Sequence, residues 1–198
     1  MSLYSRPEEF KRGDIDALLE EVLGEKAHQI TPRHFTIKEN LEEGTSEVSC
    51  SFMEGQKKRK FNSKGIGFVD ALFKGILEVY VKTFRSLKNV CFTSFGLRAQ
   101  LESGSSLAGS DSEATVLLET SNRGDRVMAF RRTAKSINAA AAQVVFDAIQ
   151  FYINCERAFK KLKAAILDAK KRGRNDTAAV YTSKLVDIVN ITSCEECE

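Results

Sequence analysis

Histidine is nearly absent: His28 and His34 are the only two in 198 residues. A serine, cysteine or metal-dependent hydrolase needs a base and an orienting group beside its nucleophile. Both histidines lie in or near a linker-like stretch ahead of the first sheet, and neither has the H-E-x-x-H or any other ligand spacing. Carboxylates are also sparse in the central portion, where Asp70, Glu78, Asp111, Glu113, Glu119, Asp125 and Asp147 are the main ones. No two of them are spaced as the acid and base of a glycosidase. The chain therefore offers no catalytic residues and no metal ligands, and no cofactor is expected.

Two prolines and 12 glycines exclude collagen-like and proline-rich chains. No apolar run approaches 18 residues, so no membrane-spanning helix is expected, and the start MSLYSRPEEF lacks the apolar stretch of a signal peptide. The five cysteines are odd in number and irregularly spaced, a poor disulfide framework that points to a reducing, cytoplasmic setting. Cys194 and Cys197 form a C-x2-C pair without a second pair, at an acidic terminus, and read as a solvated tail rather than a zinc site.

Charge is unevenly spread. Residues 1–50 hold 6 basic and 11 acidic residues, whereas residues 51–100 hold 10 basic and 3 acidic. Lys57, Lys58, Arg59, Lys60 and Lys64 supply half of the positive residues in that second block. Such a patch fits either phosphate contacts or a solvated strand face. It lacks the solvent-facing aromatic ladder of common RNA-binding sheets, which sets nucleic acid behind other partners.

Hydrophobic periodicity gives the architecture. Asp14 as cap, an apolar stripe of Ile15, Leu18, Leu19 and Val22, and Gly24 as stop predict a short helix over 14–23, followed by a linker to Pro32. Strands are expected at 33–40, at 47–54 with Val48, Cys50 and Phe52 inward, and at the very polar 57–61, a natural sheet edge. Beyond Ser63 and Lys64 the period changes to helical, with Val69, Leu72, Phe73, Ile76, Leu77 and Tyr80 as the stripe.

The order then repeats. A strand over 89–101 changes phase near Thr93-Ser94, which predicts a bulge. A loop (Glu102–Ser112), a strand through Ala114, Val116 and Leu118, a turn at 122–125 and a return strand over 126–131 follow. A helix from about Ala134 to Lys171 comes next, and its far half needs a partner, either a short helix at 176–189 or a second chain. The fold class is α+β: two consecutive β-β-β-α units, antiparallel sheets with helices packed on them. The expected organisation is a helix and linker over 1–32, the repeat domain over 33–172 and an extension over 173–198.

Gly65-Ile66-Gly67 at a helix mouth is the feature that carries chemistry. Unbonded N–H groups at a helix start favour an anion, and glycines allow close approach to the backbone. A dinucleotide fingerprint would need a third glycine, but Asp70 stands there and the preceding strand is polar. Two readings stay open at this point, a tight strand-to-helix turn and a site for a small anion or an amino-acid carboxylate. Asp70 in the first turn either stabilises the helix or meets an ammonium group.

The segment Gly65-Ile66-Gly67-Phe68-Val69-Asp70-Ala71 resembles the G-x-G-P-V-D-A-hydrophobic motif of the C-terminal regulatory domain of 2-isopropylmalate synthase, shared with citramalate synthases. The likeness covers about residues 33–160 and includes the repeated β-β-β-α order. It implies a dimerising domain of amino-acid biosynthesis, leucine biosynthesis above all, that binds a branched-chain amino acid between repeats at the dimer interface. The bound end product inhibits a catalytic barrel, an acyltransferase that condenses acetyl-CoA with a 2-keto acid.

On this resemblance Gly65, Gly67, Val69, Asp70 and Ala71 belong to the effector pocket or its wall, and Ser136, Ile137 and Asn138 are the second-repeat counterpart. Nothing matches the barrel or its metal-binding H-x-H motif. The chain is thus expected to be a fragment of a longer enzyme or a stand-alone homologue, with the barrel in cis or in a partner chain. Phe68 replaces the family's proline, Ser136 its second-repeat aspartate, and Arg131 and Arg132 stand where that repeat has glycines. Two alternatives stand beside it: a nucleic-acid-binding domain using the 57–64 patch, and a non-catalytic dimerisation scaffold with a lost effector site.

Overall fold

Alternating burial builds two three-stranded antiparallel meanders. The first joins β1 (Ile30–Asn40), β2 (Thr45–Glu54) and β3 (Lys57–Gly65) in that order, and the second joins β4 (Val90–Ala99), β5 (Ala114–Asn122) and β6 (Val127–Ala134). A computed structural model describes residues 12–99, 113–122 and 127–192 of the chain. The expected loop at 102–112, most of the turn at 122–125 and the Cys194/Cys197 pair lie outside the described residues. Four helices complete the order: α1 (Arg12–Leu23), α2 (Gly67–Tyr80) after the first meander, α3 (Ile137–Lys171) after the second, and α4 (Asn175–Thr192). The α+β reading with repeated β-β-β-α order holds. Two compact units result, His28–Ile153 and, apart from it, the described residues up to Ala27 together with those from Asn154 onward.

In the β-containing unit, Val48, Cys50 and Phe52 are buried while Ser49 faces out, as the period-2 pattern requires. Register shifts between Phe92 and Ser94, so Thr93 is the extra residue of the expected bulge. β3 is an edge strand, and its Lys57, Lys58, Arg59 and Lys60 are all exposed. It runs further than the sequence pattern suggests, since Ser63 and Lys64 stay paired with Val48 and Glu47.

Two helical expectations shift. The buried face of α2 is Phe68, Ala71, Leu72, Gly75, Ile76 and Tyr80, whereas Val69, Phe73 and Leu77 are only half-buried. Small residues draw the helix against β3 and rotate the stripe by about one position, a contact that an apolar-pattern count overlooks. α3 starts at Ile137 rather than Ala134, and from Ala140 to Ile149 all but Gln143 and Asp147 are buried. A helix apolar on nearly all sides belongs between layers. Phe146 packs edge-on against Phe52 of the first sheet (5.4 Å between centroids), and Phe151 does so against Phe130 of the second (5.6 Å). Tyr152, also buried, shares a 2.8 Å hydrogen bond with Thr120 of β5.

The helical unit combines α1, the remainder of α3, and α4. Helix α1 starts at Arg12, so Asp14 sits inside its first turn instead of capping it. Gly24 does stop it, with φ +53°, and a short 3-10 turn follows. Leu162, Ile166 and Ala169 of α3 and Ala178 and Ile188 of α4 are buried; α4 is the further helix expected there, and Lys161 and Arg157 of α3 also bond the Val22 and Lys26 carbonyls at the end of α1. No described helix is long and apolar enough to cross a membrane.

Candidate functional site

The corner between β3 and α2 is built by two glycines with different duties. A Cβ on Gly65 would stand 2.5 Å from the Ala71 nitrogen, 2.8 Å from its Cα and 2.5 Å from Asp70 Oδ2. Strand and helix backbones therefore touch there, and only glycine fits. Gly67 has φ +81°, the left-handed region that an L side chain rarely adopts, yet a Cβ on it would meet nothing within 4 Å. The space in front of Gly67 is open.

Asp70 closes the first turn from inside. Its Oδ2 accepts the Ile66 N–H at 2.8 Å and a hydrogen bond from Lys74 Nζ at 2.7 Å, the latter an i,i+4 ion pair. Ser63 Oγ donates to the Ala71 carbonyl at 2.6 Å, which ties β3 to the helix. No side chain of the capping residue Ile66 bonds to the helix, so Gly67, Phe68 and Val69 keep the unsatisfied N–H groups of a helix start. Ile66 itself is 80% exposed. Phe68, which stands where the family motif has proline, is buried, with its ring 5.3 Å from that of Phe35. Val69 is half-buried and Ala71 fully buried. The structure thus gathers Gly65, Gly67, Val69, Asp70 and Ala71 at one corner. Sequence reading left out Lys74 and Ser63, although the Asp70–Lys74 spacing was a usable signal.

The second corner, between β6 and α3, is made otherwise. Ser136 precedes the helix and its Oγ accepts the Ala139 N–H at 3.3 Å, an ordinary N-cap. It occupies the place that Ile66 holds in the first repeat, and Ala140 falls at the helical position of Asp70. Ile137 and Asn138 are exposed. Arg132 forks onto Asp147 of α3, its Nη2 at 2.9 Å from Oδ1 and its Nε on Oδ2. That pairing holds its pKa above the usual guanidinium range and neutralises its charge locally. Arg131 stays exposed.

A polar cluster unmarked by any motif lies at the other end of α2. Glu54 stands 3.3 Å from His28 Nε2 and 2.8 Å from Arg59 Nε, and the His28 ring meets Tyr80 edge-on at 5.3 Å. Burial raises the Glu54 pKa, but the Arg59 hydrogen bond and charge, joined by His28, outweigh it and hold the carboxyl below its ordinary value. Burial and then the Glu54 charge push the Tyr80 hydroxyl well up. Cys50 is pushed up to about 12 by burial and remains an inert thiol. Among the described residues no group of three His, Cys, Asp or Glu side chains is placed to hold a metal.

The basic strand is divided by its own geometry. Register sets Lys58, Lys60 and Lys64 on one face with Met53, Ser51 and Glu47, and Lys57 and Arg59 on the other. Arg59 pairs with Glu54 and Lys64 with Glu43 (3.6 Å). Two of the five charges are thus answered within the protein.

The sequence profile of a family described as the LeuA allosteric (dimerisation) domain matches residues 9–153. A search of curated proteins finds no match.

Proposed function

Because the chain belongs to the LeuA allosteric (dimerisation) domain family, we propose that it is a regulatory module that forms a homodimer and binds a branched-chain amino acid at the β3–α2 corner. The observation that carries this reading is the open space at Gly67 beside the uncapped N–H groups of Gly67, Phe68 and Val69. A carboxylate is the ligand such donors suit best. Lys74 adds positive charge on that side, and Asp70 Oδ1, which accepts no hydrogen bond among the described residues, is left for an ammonium. Exposed Ile66 and half-buried Val69 supply apolar surface for the tail. One methylene is worth about 1–3 kcal/mol in such a pocket, so leucine, isoleucine and valine are treated as one class.

Binding at a dimer interface would couple ligand to assembly, and assembly to a catalytic barrel carried in cis or by a partner chain. Calorimetric titration with leucine, isoleucine and valine tests the reading, supported by light scattering for a mass twice 22.1 kDa. Binding heat for at least one amino acid, abolished or weakened at least tenfold in Asp70→Asn, is the expected result. A dimer with no heat at any temperature and no ligand-induced melting shift would leave a dimerisation scaffold without an effector. A monomer would remove the assembly step as well.

A further inference from the structure

An open valley runs between α1 and α4 in the helical unit. Lys161 Nζ donates to the Val22 carbonyl at 2.6 Å and Arg157 Nη2 to the Lys26 carbonyl at 2.8 Å. The order is reversed along the two segments, so α1 runs antiparallel to α3. Helix α4 turns back on α3 through Gly173, at φ +70°. Hence α1 and α4 run parallel, both resting on α3, and Lys184 of α4 pairs with Glu21 of α1 at 2.5 Å.

The valley has a volume of about 620 Å³. Asp14, Leu18 and Glu21 line one wall and Val180, Lys184 and Asp187 the other, each set at i, i+4, i+7 spacing. Buried Ile15 also lines it, while Val180 is 53% exposed. Asp14 and Asp187 meet no cation among the described residues, and Lys184 is answered by Glu21. The rim is therefore acidic around an apolar centre.

Two parallel helices on a third leave the fourth position of a bundle empty. A helix laid there meets side-chain rows at helical spacing on both walls, whereas an extended strand finds no free backbone partners. The family match ends at residue 153, so α4 and the far half of α3 lie beyond it. The α1 wall of the valley thus lies within the matched residues and the α4 wall beyond them.

We propose that the α1–α4 valley docks an amphipathic helix of a partner chain, with an apolar stripe flanked by lysine or arginine. The apolar stripe covers Leu18 and Val180, and the basic flanks meet Asp14 and Asp187. The test uses a fluorescent Leu/Lys amphipathic helical peptide and its Leu/Glu counterpart, titrated with the full chain and followed by anisotropy. Saturable binding of the Lys peptide is expected, weakening with salt, with the Glu peptide at least tenfold weaker.

Asp187→Lys and, separately, Val180→Ser should each weaken the Lys peptide, the double Asp14→Lys/Asp187→Lys at least tenfold. Glu47→Lys on the exposed face of β2 should leave it unchanged. Far-ultraviolet dichroism and melting confirm that each variant is folded. The proposal is overturned if both peptides bind alike, if neither binds, or if Glu47→Lys weakens binding as much as Asp187→Lys. It is also overturned if the valley variants change the mass of the protein alone, because a second copy would then be the occupant.

Discussion

The two strand-to-helix corners occupy the same place in each repeat and are finished by opposite means. At the second, Ser136 caps α3 with its own hydroxyl and takes up one of the free N–H groups. At the first, Asp70 reaches back from within α2 to hold the Ile66 N–H, and the donors ahead of it stay uncapped. A left-handed glycine holds the first corner open, and the chain turns into the second without one. One repeat thus closes its helix mouth with a side chain, and the other leaves its first N–H groups without a side-chain cap. Topological repetition does not imply two equal sites.

Breaking the glycines of the first corner should have the largest effect. Gly65→Ala forces a methyl into the Ala71 backbone, which has no flexible end to yield, and should destabilise by about 3 kcal/mol or more. Chemical denaturation measures this directly, with Gly96→Ala as the second-repeat control. There a Cβ would meet only Leu117 at 3.9 Å, and a change within about 0.5 kcal/mol is expected. Gly75→Ala comes next: the new methyl would lie 2.2 Å from the Phe61 ring and 2.6 Å from Ser63 Oγ. The clash should outweigh the helix-propensity gain of about 1 kcal/mol and leave a net loss of about 1–2 kcal/mol.

Gly67→Ala and Ser136→Ala sharpen the contrast between corners. The first adds about 1–2 kcal/mol of left-handed strain without a steric clash, and should reduce amino-acid binding. The second removes a cap worth about 1 kcal/mol, and should lower the melting temperature while leaving amino-acid binding intact. Equal loss of binding in both would make the two corners one functional unit.

The smallest expected effect concerns pH. Glu54 has a folded-state pKa below its ordinary 4.5, so its contribution is present above that value and is lost as the pH falls through the folded pKa. Glu54→Gln should therefore flatten the loss of stability on acidification below about pH 4.5 and leave the region above pH 6 with no added slope. Melting curves across that range give the comparison, and an unchanged acid slope would count against the His28–Glu54–Arg59 cluster as its source.

Strong periodicities were legible. The alternation of Val48, Cys50 and Phe52, the phase change at Thr93 and the polar edge strand all follow from which side chains prefer water. The G-I-G motif and Asp70 were legible as a helix mouth, because backbone donors and the helix dipole act locally. The rotated face of α2 was not: Ala71 and Gly75 carry little hydrophobicity, and their value lies in letting two backbones approach. Burial of Phe68 on Phe35, likewise, depends on a strand more than 30 positions away.

Local chemistry in the sequence determined the strands, the helices, their order and the glycine corner, since period, capping and φ preference act within a few residues. Tertiary structure alone decided that Phe68 is buried on Phe35, that Phe146 and Phe151 turn α3 toward two different sheets, and that α1 and α4 run parallel around a valley. Those outcomes depend on distances between segments far apart in the chain, and close packing fixes them only once every neighbour is in place.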